Sequence, residues 1–231
     1  MNNIERLCRK IEMPEEECEV LGAAYLKIVE NKSVYDGFEE CVSVYKQNTV
    51  FDRGPIVEKI EGLSEKIGIH KYTLDLVYLI MLVPHMKVVY EENGLTEEVS
   101  NDSVLDLKWK SEECKSVFGV WGISVGGWTL DFFMLKRFAF GRLQFNLGGF
   151  KSDYSISGVN VKSGNPYIET HIPPGRPLVH EECRLSYERA AEHFKNIFGY
   201  KPIIFGCNSW LLSPNNCKML PETSKYTEIY G

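Results

Sequence analysis

Glu169 and His171 are the first residues in this chain whose types and spacing point to chemistry. In the stretch "YIETHIPPGRPLVH" they stand two apart on an expected strand, Tyr167–Ile172, so both side chains leave one face, roughly 6–7 Å apart along the chain. Ile168, Thr170 and Ile172 leave the other face. A carboxylate and an imidazole side by side can serve as a general base near neutral pH, taking a proton from an amine or a water. The plainer reading pairs Glu169 with an arginine and His171 with a backbone carbonyl. Cys207 and Ser209 share a face of the next expected strand, "PIIFGCNSWLL", opposite Asn208 and Trp210. Either is a candidate nucleophile with His171 as its base if the strands adjoin. Equally, Cys207 is a buried, inert thiol and Trp210 a packing anchor.

Between the strand and the following helix runs a loop of unusual composition. Pro173, Pro174 and Pro177 carry no N–H. The donors left near the turn belong to Gly175, Arg176, Leu178, Val179 and His180, and Arg176 adds a guanidinium suited to phosphate oxygens. The helix begins without Ser, Thr, Asp or Asn at the expected cap, which leaves its first N–H groups open to an anion. Two uses of the loop stay open: a phosphate cradle, or a stiff connection.

The elements that must position these residues differ between the two halves of the chain. Up to residue 140 the pattern is helical. Pro14 followed by three glutamates opens one helix, and Ser33 with Asp36 resembles a capping box for the next. Further helices are expected over Pro55–Ile67, Lys71–Tyr90 (kinked or ended at Pro84) and Glu112–Phe118. One more is expected in "GGWTLDFFMLKRFAFG", with Trp128, Phe132 and Phe133 as core. After Gly141 the period falls to two. "RLQFNLGGF" alternates Leu143, Phe145 and Leu147 with Arg142, Gln144 and Asn146, and "YSISGVNV" alternates again. A helix carrying Cys183, Tyr187, Ala190, Ala191, Phe194 and Phe198 on one stripe follows, with Gly199 at its C-terminal cap. The fold class is α+β, with a helical domain over 1–140 and a mixed-sheet domain over 141–231.

Composition narrows the function classes. A net charge of −6 without a lysine or arginine cluster argues against nucleic acid. The run "LDLVYLIMLVP" is about half a bilayer's length and contains Asp75, so it is expected as a buried helix and not a membrane span. Seven cysteines at irregular spacing, without a CxxC pair, fit reduced thiols in a cytosolic protein and argue against a structural zinc site. His70, His85, His180 and His193 show no metal-ligand spacing.

The order of three strands, helix, strand, with the loop between the third strand and the helix, resembles the GNAT fold of acyl-CoA N-acyltransferases. "GRLQF", "ETHIPPGRPL", "CNSWLL" and the pair Leu220-Pro221 further resemble a bacterial family of acyltransferase domain-containing proteins with a helical N-terminal and a GNAT-like C-terminal domain. The resemblance implies acyl-CoA or acetyl-CoA as co-substrate, its pyrophosphate over Gly175–His180, and a small-molecule or peptide amine as acceptor. Glu169 and His171 would then deprotonate the amine. Such a fold adds a helix and a last pair of strands after the fifth-strand segment, whereas the sequence to Gly231 shows no further alternation, so an unpaired sheet edge is expected. The rival reading is a non-catalytic binding or scaffold protein that keeps the fold.

Overall fold

The computed structural model describes residues 1–156, 158–199 and 202–209. The helices α1 (Asn3–Lys10), α2 (Glu15–Glu30), α3 (Lys32–Gln47), α4 (Arg53–Lys66), α5 (Lys71–Glu92), α6 (Glu97–Phe118) and α7 (Gly126–Phe133) come first. The strands β1 (Arg137–Phe140), β2 (Leu143–Gly149), β3 (Tyr154–Ile156), β4 (Val159–Val161) and β5 (Pro166–His171) follow, then α8 (His180–Phe198) and β6 (Phe205–Cys207). The architecture is α+β. The chain divides into two compact units, Met1–Ala139 with Pro174–Pro177, and Phe140–Pro173 with the chain from Leu178 onward.

In the first unit α5 packs against all six other helices. It is long and apolar enough to cross a membrane by length and composition, yet most of its side chains are core. Local chemistry moved several boundaries away from the sequence expectation. Asn31, not Ser33, caps α3, its side chain accepting from Val34 N–H. Asp36 instead pairs with Lys32 one turn back. α5 continues through Pro84, which lies on its exposed side, because the buried Leu82, Val83, Met86 and Val89 hold the helix where its ladder loses a bond. α6 starts at Glu97, capped by the Thr96 hydroxyl and well before the expected start at Glu112.

The stretch "GGWTLDFFMLKRFAFG" is helix only to Phe133. Its last turn is closed from outside: the buried hydroxyls of Tyr45 and Tyr90 donate to the carbonyls of Phe133 and Phe132 at 2.9 and 3.0 Å. Leu135 then turns into the left-handed region, φ 55°, and the chain leaves as β1, buried at all four positions. A short strand buried on both faces has no period to separate it from a helix. Phe132 and Phe133 are core as expected, but Trp128 is exposed, with the Arg137 guanidinium 3.5 Å above its ring.

In the second unit β2 and β5 run antiparallel, and β5 and β6 run parallel, in the sheet order β1-β2-β5-β6. "YSISGVNV" is not the third strand of that sheet. Gly158, φ 81°, folds it into the separate β3–β4 hairpin, so β2 meets β5 directly. α8 covers one sheet face through an aromatic cluster in which Tyr187 lies 5.6 Å from Phe145 and 4.9 Å from Phe205 between ring centres. Ser186, buried mid-helix, accepts from the backbone N–H groups of Arg142 and Leu143 and so pins α8 to the start of β2. Trp210, the Leu220-Pro221 pair and the expected unpaired edge lie outside the described residues.

Candidate active site

Register decides which side chains meet on the sheet face away from α8. In the β2–β5 ladder Asn146 stands opposite Glu169 and Gln144 opposite His171, so four polar side chains share that face. Ile168 and Thr170 are buried on the α8 face. Asn146 joins the pair that the sequence singles out: its Nδ2 donates to Glu169 Oε2 at 3.0 Å, and its Oδ1 accepts from His171 Nε2 at 2.5 Å. His171 Nε2 itself lies 3.9 Å from Glu169 Oε2. With Nε2 donating to an amide oxygen, the neutral imidazole carries its lone pair on Nδ1. Glu169 and His171 are both part-exposed, and Glu169 is held by Asn146 in place of the arginine of the plainer reading.

Next to them Tyr167 lies flat against the sheet. A Cβ at Gly148, its cross-strand partner, would stand 2.7 Å from the Tyr167 ring, and one at Gly206 on β6 would stand 2.9 Å away. Phe150 packs on the same ring at 4.9 Å between centres. Burial, then the neighbouring Glu169 carboxylate, raises the Tyr167 hydroxyl above its ordinary pKa. Two bare glycines thus let one aromatic ring floor the polar face.

Cys207 is placed elsewhere. It pairs with Thr170 across the β5–β6 ladder, so it goes with the α8 face, while Gly206 pairs with Glu169. Burial, with Glu169 second, pushes the Cys207 thiol up, which disfavours the thiolate a nucleophile needs. Ser209 follows β6 and is half-buried. The expected Cys207–His171 arrangement therefore does not form: a sheet lies between two residues of opposite parity.

Among the described residues the parallel β5–β6 ladder pairs Ile168 with Phe205, Glu169 with Gly206 and Thr170 with Cys207. Arg142 Nη1 donates to the Pro173 carbonyl at 2.9 Å, holding the start of the loop. Beyond it the loop's two halves group differently. Gly175 and Arg176 belong with the helical unit, and Leu178, Val179 and His180 with the sheet unit. Gly175 has φ 100°, and a Cβ there would sit 2.5 Å from the Trp109 ring of α6, so glycine is required on two counts. Leu178 and Val179 lead into α8, whose Val179 cap makes no side-chain hydrogen bond. The first turn carries Glu181 and Glu182, of which Glu181 is bound by Arg184. Among the described residues no group of three His, Cys, Asp or Glu side chains is set to hold a metal ion.

Residues 2–135 match the N-acyltransferase N-terminal domain, and residues 137–229 match the GNAT-like C-terminal domain. The chain belongs to this N-acyltransferase family. No curated protein sequence matches it. The N-acyltransferase chain is similar in fold to solved acyltransferase structures at 20% identity. One, in complex with CoA and 10C-teicoplanin, has a TM-score of 0.73, with 99% of this chain and 68% of that chain covered. An acyltransferase mutant in complex with octanoyl-CoA gives 0.72, with 98% and 67% covered. A third, in complex with decanoyl-CoA and teicoplanin, gives 0.69 with the same coverage.

Asn146, Tyr167 and Trp109 are the residues of this N-acyltransferase that sequence reasoning did not single out. Asn146 was legible as an outward polar residue of β2, but its partners depend on a register that crosses the β3–β4 hairpin. The Gly148-Gly149 pair was a signal too, since glycines inside a strand mark close approach.

Proposed function

We propose that this chain is an acyl-CoA-dependent N-acyltransferase acting on a small-molecule or peptide amine. The observation that carries the reading is the Asn146–Glu169–His171 triad on β2 and β5, set beside the β5–β6 ladder. The uncapped N–H groups of α8, with Leu178, Val179 and His180, supply the positive end for a pyrophosphate. The solved neighbours in complex with octanoyl-CoA and decanoyl-CoA support a CoA thioester as donor, and those with teicoplanin support a small-molecule acceptor.

In the proposed reaction the amine nitrogen attacks the thioester carbonyl, a C–N bond forms, and the C–S bond breaks as the CoA thiolate leaves. The Glu169–His171 pair takes the proton that the nitrogen must lose, at His171 Nδ1 or the carboxylate, and the thiolate ends protonated as CoA. Cys207 and Ser209 take no covalent part in this direct transfer. A reducing, cytoplasmic setting belongs to the same proposal, supported by six described cysteines that are all free thiols.

One observation favours the non-catalytic reading: Glu181 and Glu182 put negative charge in the first turn of α8, where a pyrophosphate would sit. Thermal unfolding with CoA and with octanoyl-CoA separates the two. A ligand at about 100 times its Kd adds about 2.7 kcal/mol, and the enzyme reading expects a midpoint rise with both, followed by amide formation with an amine. No rise with either sinks it.

A further inference from the structure

Alternation along β2 and β5 sorts the sheet face away from α8 into two ends. Asn146 and Gly148 leave that face from β2, with Phe150 continuing the alternation just past the strand, and Tyr167, Glu169 and His171 leave it from β5. The hydrogen-bonded Asn146–Glu169–His171 group occupies one end. The other end is aromatic, with the Phe150 and Tyr167 rings 4.9 Å apart between centres.

The sheet is built to seat the Tyr167 ring. A Cβ at Gly148 or at Gly206 would stand 2.7 or 2.9 Å from its carbons, so bare backbone on two strands takes up one face of the ring. Tyr167 and Phe150 both remain half-buried, which leaves aromatic surface for a ligand. Aromatic rings attract one another in offset or edge-on contact beyond what burial of area alone gives.

The direction of the proposed reaction assigns this aromatic end to the acceptor. β5 runs from Pro166 to His171, and the chain then leads through the loop to the first turn of α8, where the reading places the CoA pyrophosphate. The thioester therefore arrives at the His171 end. The attacking nitrogen must come from the opposite side, with its substituent over Tyr167 and Phe150. Tyr167 and Glu169 are two residues apart on the strand, about 7 Å, a step that a two-carbon linker between a ring and a nitrogen spans.

We propose that the acceptor is a primary amine bearing an aromatic ring two carbons from its nitrogen, the ring stacked on Tyr167 beside Phe150 and the nitrogen at Glu169 and His171. The proposal rests on the acyl-transfer reading and adds the acceptor's class to it. As the C–N bond forms and the C–S bond breaks, the ammonium protons are all accounted for. One leaves to solvent through the Glu169–His171 pair before attack, one ends on the CoA sulfur, and the last stays on the amide.

The experiment supplies octanoyl-CoA with either 2-phenylethylamine or 2-cyclohexylethylamine, which are alike in size and differ in the π face. It measures kcat/KM from release of the CoA thiol, with the amide confirmed by mass. 2-Phenylethylamine should be favoured about fivefold, mostly through KM, the scale of one aromatic pair. Tyr167→Leu should bring that ratio to about one, whereas Tyr167→Phe, which keeps the ring and removes the hydroxyl, should preserve it. The parent ratio and Tyr167→Phe decide the matter even where Tyr167→Leu does not fold. Equal use of the two amines, the parent ratio in Tyr167→Leu, or its loss in Tyr167→Phe would each overturn the proposal. Transfer to neither amine overturns it as well. A midpoint rise with octanoyl-CoA in that case leaves the acyl-transfer reading standing, and no rise takes both down.

Discussion

Asn146 faces Glu169 across the β2–β5 ladder and donates to its carboxylate at 3.0 Å while accepting from His171 on the same strand. One amide thereby fixes the orientation of a carboxylate and the tautomer of an imidazole. For the proposed reaction, Glu169→Gln and His171→Ala should each lower kcat by about 10²–10⁴-fold, the usual contribution of a positioned base, with CoA affinity unchanged. Asn146→Ala should cost about 10²-fold through misplacement. It should also move the acidic limb of the kcat/KM profile to lower pH, because the imidazolium loses an acceptor. A purely structural Asn146 would lower the rate without moving the limb.

The Tyr167 ring between Gly148 and Gly206 makes a steric prediction independent of any activity. Gly148→Ala and Gly206→Ala each drive a methyl into that ring and should cost about 1–3 kcal/mol of stability in urea unfolding. In a Tyr167→Ala background the same Gly148→Ala change should cost well under 1 kcal/mol, since the clash is gone. Equal costs in both backgrounds would mean that backbone propensity, and not the ring, sets the requirement for glycine.

Buried carboxyls give the helical unit a pH dependence. Burial pushes Glu17 and Asp75 up to about 7 each. Between the ordinary carboxylate range and about 7 the folded state binds these protons more tightly than the unfolded chain. Stability contributed by them is full below the ordinary range, falls as pH rises through that window, and is flat above it. Glu17→Gln should remove part of the fall, on the order of 2–3 kcal/mol between pH 4.5 and 7.5, read as a flatter plot of unfolding free energy against pH. A variant whose plot keeps the parent slope would place the titration elsewhere.

Much of this molecule was written in local patterns. The helices of the first unit follow the apolar spacing and their capping residues. The change of period after Gly141 announces the sheet, and the spacing of Glu169 and His171 sets them on one face. Each of these is a short-range property, decided within a turn of helix or along a single strand. The boundaries that differ from the local pattern are those where a neighbour distant in sequence outweighs the local signal. Pro84 stays helical because the residues around it on the other side of α5 are buried against the neighbouring helices. "RFAF" becomes a strand because hydroxyls of α3 and α5 close α7 ahead of it.

The site divides the same way. Sequence supplied the acid–base pair and the loop, but not the amide that joins the pair, nor the side of the sheet on which Cys207 falls. Those depend on register, and a slip of one residue reverses every side chain on a strand. The β2–β5 register is set only when the β3–β4 hairpin is excluded from the sheet and Ser186 of α8 anchors the start of β2. Chain chemistry chose the residues, and long-range hydrogen bonding with burial chose which of them meet.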